Sequence, residues 1–253
     1  MGKYDKYEIN WIKEPIDGRD WSWLESIFCK LGHYYDDYAK NVAEMPFNYT
    51  ERTILGSLAI AADRCNYYTL LDYSTKTKEG YHYPDFWITI PQWSGKSYDF
   101  VFEAKRFKHS FETNNEKFKK SITKKLKDIH EDFLNKYEIG KAENAPLQCA
   151  LLAFQLRIDE HEWKKFNNNN SYDKKWHELY SDLYSAQEKQ NKDNNEWPDK
   201  ESICSFWYLY WVPFDIIKNS KFEKWYWKTQ ETRPQYLKPA LDLLIIGSFR
   251  KVK

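Results

Sequence analysis

The sequence predicts an α/β fold in which a mixed sheet is covered by helices. Three observations carry that expectation. Residues 48–64 place Ile54, Leu55, Leu58, Ala59 and Ala62 at helical spacing. Two aromatic and β-branched runs, FWITI (86–90) and YDFVF (98–102), flank the turn-forming QWSGK and read as a hairpin. An amphipathic stretch (115–136) then precedes an apolar run (145–158), which is the order of a helix followed by a buried strand.

In chain order, residues 1–20 read as an irregular arm punctuated by Pro15 and Gly18. Asp20 caps a helix through Trp21, Trp23, Leu24, Ile27, Phe28 and Leu31, with a further turn or two over 34–42 that stops near Pro46. The next helix opens on Asn48-Tyr-Thr-Glu51, which fits a capping box with Asn48 at the N-cap and Glu51 at N3. Glu51 also continues the stripe of Leu55, Leu58 and Ala62, so it can equally face the sheet. A strand is expected over 67–74. The helix at 115–136 carries Phe118, Ile122, Leu126, Ile129 and Phe133 on one stripe. Segment 161–200 is polar and reads as a surface excursion. Two further strands, 203–214 and 241–249, flank a Trp/Tyr-rich connection. The expectation is one domain, 1–253: an arm and helices over 1–45, a core over 46–160, and a C-terminal elaboration over 161–253.

Composition narrows the function classes. The 39 basic residues almost balance the 38 acidic ones, so any basic surface must be local. Aromatics reach 19%, enough for large ring-filled cores and for stacking platforms. Cys29, Cys65, Cys149 and Cys204 form no CxxC pair, which excludes a zinc ribbon and fits reduced thiols. MGKYDKYEINW lacks an apolar signal core, and no apolar run approaches membrane-spanning length. A cytoplasmic location is the expectation.

The hairpin concentrates the chemistry. If its loop is symmetric about Ser94, Asp85 stands opposite Glu103, and such partners lie within about 5.5 Å at Cα. Facing carboxylates destabilise a hairpin unless something neutralises them, and a divalent cation would do so. Alternation puts Lys105 on the Glu103 face, with Asp99 and Val101, while Phe100, Phe102 and Ala104 point the other way. A one-residue slip of register would separate the group.

Pro84-Asp85 followed by Glu103-x-Lys105 on the next strand resembles the PD-(D/E)xK nuclease superfamily. The order of elements over 48–158 resembles that family's helix, three-stranded meander, helix and strand. The resemblance implies a restriction endonuclease-like mixed central sheet flanked by helices, elaborated by further helices and strands. It implies catalytic roles for Glu51, Asp85, Glu103 and Lys105. Metal ligands would be Asp85, Glu103 and the Ala104 carbonyl, with Mg²⁺ or Mn²⁺ as cofactor. The implied activity is phosphodiester hydrolysis, with DNA as the expected partner ahead of RNA, in a restriction, repair or defence setting. A homodimer or a partner protein remains open. The RecB-type Gln-x-x-x-Tyr helix motif is not evident after Lys105.

Plainer readings compete. Asp85 can be a turn residue, and Glu103 with Lys105 an edge pair that discourages aggregation. Arg106, Lys108, Lys120 and Lys124 are candidate phosphate contacts, although a lysine-rich helix face is ordinarily just solvated. Trp93 can stack on a base or cover the core. His161-Glu162 begins a zincin-like string, but Lys165 stands where the second histidine belongs. The rival from another class is a non-catalytic binding module of the same fold, with Trp225-Tyr226-Trp227 as its partner surface.

Overall fold

The structure, a computed structural model, describes residues 9–13, 20–42, 44–72, 75–77, 80–82, 85–91, 97–110, 147–157, 203–211, 220–234 and 242–250. It also describes helical positions 121, 122, 124–126, 128, 129, 131, 181 and 185. Of the positions singled out above, Trp93, Phe118, Lys120, Phe133 and His161 lie outside these residues, as does most of 161–200.

The first strand, β1 (Asn10–Lys13), lies in the segment expected to be irregular. Ile9 is buried and the Trp11 ring packs edge-on against Trp21 at 6.0 Å, so apolar side chains tie the arm to the core. Helix α1 (Ser22–Val42) is continuous, because its buried stripe of Trp23, Leu24, Ile27, Phe28 and Leu31 extends through Tyr35 and Ala39. The Asp20 carboxylate accepts the Ser22 N–H at 2.9 Å, and the Ser22 backbone and side-chain hydrogen bonds hold its pKa below the ordinary value.

A 3₁₀ turn (Pro46–Asn48) separates α1 from α2 (Glu51–Asp63). Here the expected cap is corrected. Asn48 ends the turn that Pro46 initiates, and Thr50 is the N-cap, its hydroxyl accepting the Thr53 N–H at 3.2 Å. Glu51 is therefore the first helical residue, not N3, and no capping box forms. Its carboxylate is directed elsewhere.

The remaining strands are β2 (Tyr68–Leu71), β3 (Thr75–Thr77), β4 (Gly80–His82), β5 (Phe86–Pro91), β6 (Ser97–Ser110), β7 (Leu147–Arg157), β8 (Ile203–Trp211) and β9 (Asp242–Arg250). β3 and β4 form a two-stranded hairpin. The others make one seven-stranded mixed sheet in the order β1-β8-β9-β7-β6-β5-β2. All pairs are antiparallel except β6 with β7, whose parallel pairing requires a crossover. The described positions from 121 to 131 lie in that crossover and are helical, as the amphipathic pattern predicts.

Both faces of the sheet are buried at its centre. On one face, α1 packs Trp23 on Phe100 at 4.3 Å between ring centroids and Phe28 on Trp207 at 5.1 Å. α2 adds Ile54, Leu55, Leu58, Ala61 and Ala62 to the same cluster. Each large side chain buried this way contributes about 1.5–3 kcal/mol. The opposite face carries Val101, Ala150, Leu152 and Phe154, and the crossover helix buries Ile122, Leu126 and Ile129. The Lys125 ammonium lies 3.3 Å from the centroid of the Phe107 ring, which in turn meets Phe154 at 5.4 Å. The connection after β8 contains a helix, Ser220–Thr232. Its Tyr226 is fully buried, and Trp225 and Trp227, both partly exposed, pack on the core.

Candidate active site

The β5–β6 register runs from Pro91↔Ser97 to Phe86↔Phe102, the register that symmetry about Ser94 predicts. The next pair outward is Asp85 and Glu103. Asp85 sits in the bend just before β5, where β5 ends while β6 continues through residues 103–110 paired on its other side with β7. This free edge of β6 is where the candidate residues meet.

The local cause is hydrogen-bond demand. Past the end of β5, the amides of Ala104 and Arg106 have lost their strand partner, and a buried amide left unpaired is costly. Asp85 Oδ2 accepts the Ala104 N–H at 2.8 Å, and Glu51 Oε2 accepts the Arg106 N–H at 2.8 Å. Two carboxylates thus continue the ladder that β5 abandons. A strand residue directs its N–H and C=O to the same side, so the Ala104 carbonyl belongs to this edge as well. Glu103 and Asp85 then form the closely spaced, non-hydrogen-bonded kind of pair, with Cα atoms about 4.5 Å apart in regular geometry.

Lys105 joins both acids. Its Nζ lies 3.2 Å from Glu103 Oε1 and 3.9 Å from Asp85 Oδ2. Side-chain exposure rises from 8% at Glu103 through 23% at Asp85 to 40% at Lys105, so the cluster opens outward from a buried acid. Burial is the largest single influence on Lys105 and acts to lower its pKa. The charges of Glu103 and Asp85, the hydrogen bond to Glu103 and the charge of Glu51 together outweigh it, and the pKa lies above its ordinary value. Glu51, Asp85, Glu103 and Lys105 are therefore one electrostatic group. The structure brings all four together from α2, the bend before β5, and β6.

The basic candidates fare differently. Arg106 is a clamp: its guanidinium donates to the Tyr49 carbonyl and, at 2.9 Å, to Gln155 Oε1. The Gln155 side-chain amide donates in turn to the Phe47 carbonyl. Burial lowers the Arg106 pKa and Glu51 opposes that shift. Two of its donors hold the 3₁₀ turn against β6 and β7. Lys124 is exposed on the crossover helix. Lys108 follows on β6.

Gln155, 1% exposed, escaped the sequence reading because a glutamine inside an apolar strand gives no sign of its distant partners. A second polar cluster was missed beside the site. Thr89 Oγ1 donates to Asp99 Oδ1 at 2.6 Å, and Trp87 Nε1 approaches Thr89 Oγ1 at 3.3 Å and Asp99 Oδ1 at 3.4 Å. Among the described residues, no three His, Cys, Asp or Glu side chains are grouped to hold a metal ion on their own. No family model, curated protein or solved structure matches the chain.

Proposed function

We propose that this chain is a metal-dependent nuclease that hydrolyses phosphodiester bonds, in DNA before RNA, on a restriction endonuclease-like core. The observation that carries the reading is the convergence of Asp85, Glu103 and Lys105 at the free edge of β6, with Glu51 bound to the next amide along that edge, Arg106 N–H. The order of elements supports it: α2, the β2–β5–β6 meander, a helical crossover and the parallel strand β7.

The donor set fits Mg²⁺ or Mn²⁺. Hard divalent cations are commonly held by one or two carboxylates, with water and substrate phosphate completing the shell, so a third acid is not required. Asp85 and Glu103 already share one cation, the Lys105 ammonium, which marks the space between them as favourable for positive charge. Asp85, Glu103 and the Ala104 carbonyl would hold the metal. Bound there, it would polarise the phosphate and lower the pKa of a bound water.

The chain's own groups do the rest. Lys105, held protonated by its acidic neighbours, suits the alignment of a water and the stabilisation of developing negative charge better than proton abstraction. Glu51 holds the β6 edge in place through the Arg106 amide and adds negative charge to the cluster. Exposed Lys124 is available for the nucleic-acid backbone.

The test is cleavage of plasmid and single-stranded DNA with Mg²⁺ or Mn²⁺. Lys105→Ala should cut about 100-fold more slowly, the scale for losing one preorganised charge-stabilising group. Equal background cleavage by wild type and variant on every substrate would defeat the reading.

A further inference from the structure

The sheet face that carries the site does not end at the site. Directly paired residues share a face, so the register aligns Tyr68 with Thr89 and Asp99, and Leu70 with Trp87 and Val101. Alternation along β6 places Glu103 and Lys105 on that same face. Tyr68 is 71% exposed and Leu70 51% exposed, and Trp87 beside them is partly exposed. An apolar shelf of two flat rings and a leucine therefore adjoins the acids and the lysine.

The chemistry of this shelf is selective. Trp87 Nε1 and the Thr89 hydroxyl are spent on Asp99, so apart from the Tyr68 hydroxyl the shelf presents ring faces and aliphatic surface. Tyr68, Leu70, Trp87 and Thr89 carry no charge, while Asp99, aligned with Thr89, places a carboxylate beside them that the Trp87 and Thr89 donors engage. Trp87 lies two residues along β5 from Asp85, and Tyr68 stands one strand further out, opposite Thr89, so the shelf begins about 7 Å from Asp85 and reaches Tyr68 at about 14 Å. A strand leaving the reacting phosphate would cross it within its first nucleotides. Exposed ring faces suit bases whose π-faces are free, and bases inside a duplex are not.

We infer that Tyr68, Leu70 and Trp87 form a stacking subsite for unpaired nucleobases, so that the preferred substrate presents a single strand or a frayed end to the site. The inference rests on the nuclease reading for the identity of its ligand, and it adds a strand preference. Thr89 and Asp99 act as positioning residues, since they fix the edge of the Trp87 ring.

Binding of fluorescein-labelled single-stranded oligodeoxynucleotides and oligoribonucleotides, and of their duplexes, is measured by anisotropy in EDTA. Cleavage is measured separately with Mg²⁺. Wild type should prefer single strands. Tyr68→Ala should weaken single-strand binding about 5- to 150-fold, the span expected for one lost base stack, while Tyr68→Phe retains it. Tyr68 is exposed enough for both variants to fold. If Tyr68→Ala leaves single-strand affinity unchanged while Mg²⁺-dependent cleavage persists, the subsite is wrong and the nuclease reading stands. If no substrate is cut but single strands bind and Tyr68→Ala weakens them, the subsite survives and the nuclease reading falls. Tyr68→Ala dissociating a dimer in sedimentation, with oligonucleotide affinity unchanged, would make the shelf an interface between copies and overturn the inference.

Discussion

Glu51, the first residue of α2, accepts the backbone N–H of Arg106 at 2.8 Å across 55 residues of chain. The bond makes one carboxylate both a strand-edge cap and a member of the charge cluster around Lys105. Substitutions separate the two roles. Glu51→Gln keeps an acceptor for Arg106 but removes the charge, whereas Glu51→Ala removes both. Denaturant unfolding should show Glu51→Gln close to wild type and Glu51→Ala less stable by about 1–3 kcal/mol, the cost of an amide left unpaired. In cleavage titrations, both variants should need about 10-fold more Mg²⁺ for half-maximal rate, as for removal of a group that supports metal ligands. A purely structural Glu51 predicts an unchanged Mg²⁺ requirement for Glu51→Gln.

Lys105 yields a pH prediction with a definite sign. Its folded-state pKa is raised above the ordinary 10.5, so protonation favours the folded state. The stabilisation is fully present below about pH 10.5, and it is lost as pH rises through the folded-state value. The stability difference between wild type and Lys105→Met, from urea unfolding, should be flat from pH 7 to pH 10 and shrink above that. A difference that grows with alkalinity would mean the acids do not govern this lysine. The same shift keeps Lys105 charged at neutral pH, so the alkaline limb of a cleavage profile should not fall near pH 7 on account of this residue.

The hairpin register was readable from sequence because a short loop with a turn signal leaves little choice of centre, and two clear strand patterns agree on Ser94. Asp85, Glu103 and Lys105 follow from that register and from alternation. Glu51 was ambiguous for a physical reason: Pro46 starts a competing turn, which moves the helix start past Asn48 and puts Glu51 at N1. The Arg106–Gln155–Phe47 tie joins residues far apart in the chain, and no local pattern encodes such a contact. β1 was missed because four residues at a sheet edge carry too little periodicity to stand out. The exposed side chains of β2 were visible as a strand but not as a surface, since edge position is a property of the whole sheet.

Cys149 offers a check on the central strands. It lies on β7, fully buried, and burial raises its thiol well above the ordinary pKa. Thiolate is the reactive form, so Cys149 should resist iodoacetamide in the native protein and react once denaturant unfolds it. Peptide mapping after a native pulse should find carboxamidomethyl groups at half-buried Cys29 and Cys65 before Cys149. Rapid native labelling at Cys149 would contradict its place between β6 and β9.

Gly247 on β9 stands directly opposite Trp207 on β8. A Cβ at position 247 would overlap the Trp207 ring at Cζ2, Cε2 and Cη2, so this glycine is required by close approach. The ring cannot retreat easily, because Trp207 is fully buried and its other contacts include Phe28 at 5.1 Å and Phe249 at 6.3 Å between centroids. Gly247→Ala should therefore fall at the severe end for overpacking, about 3 kcal/mol or more. Trp207→Phe shortens the ring system over Gly247 and removes an indole N–H that makes no hydrogen bond among the described residues. The smaller ring leaves room for the added methyl group. The double variant Gly247→Ala/Trp207→Phe should then be more stable than the sum of the single losses predicts, with a coupling of about 0.5–3 kcal/mol in a double-mutant cycle. Strict additivity in urea unfolding would mean that the indole does not lie across the glycine.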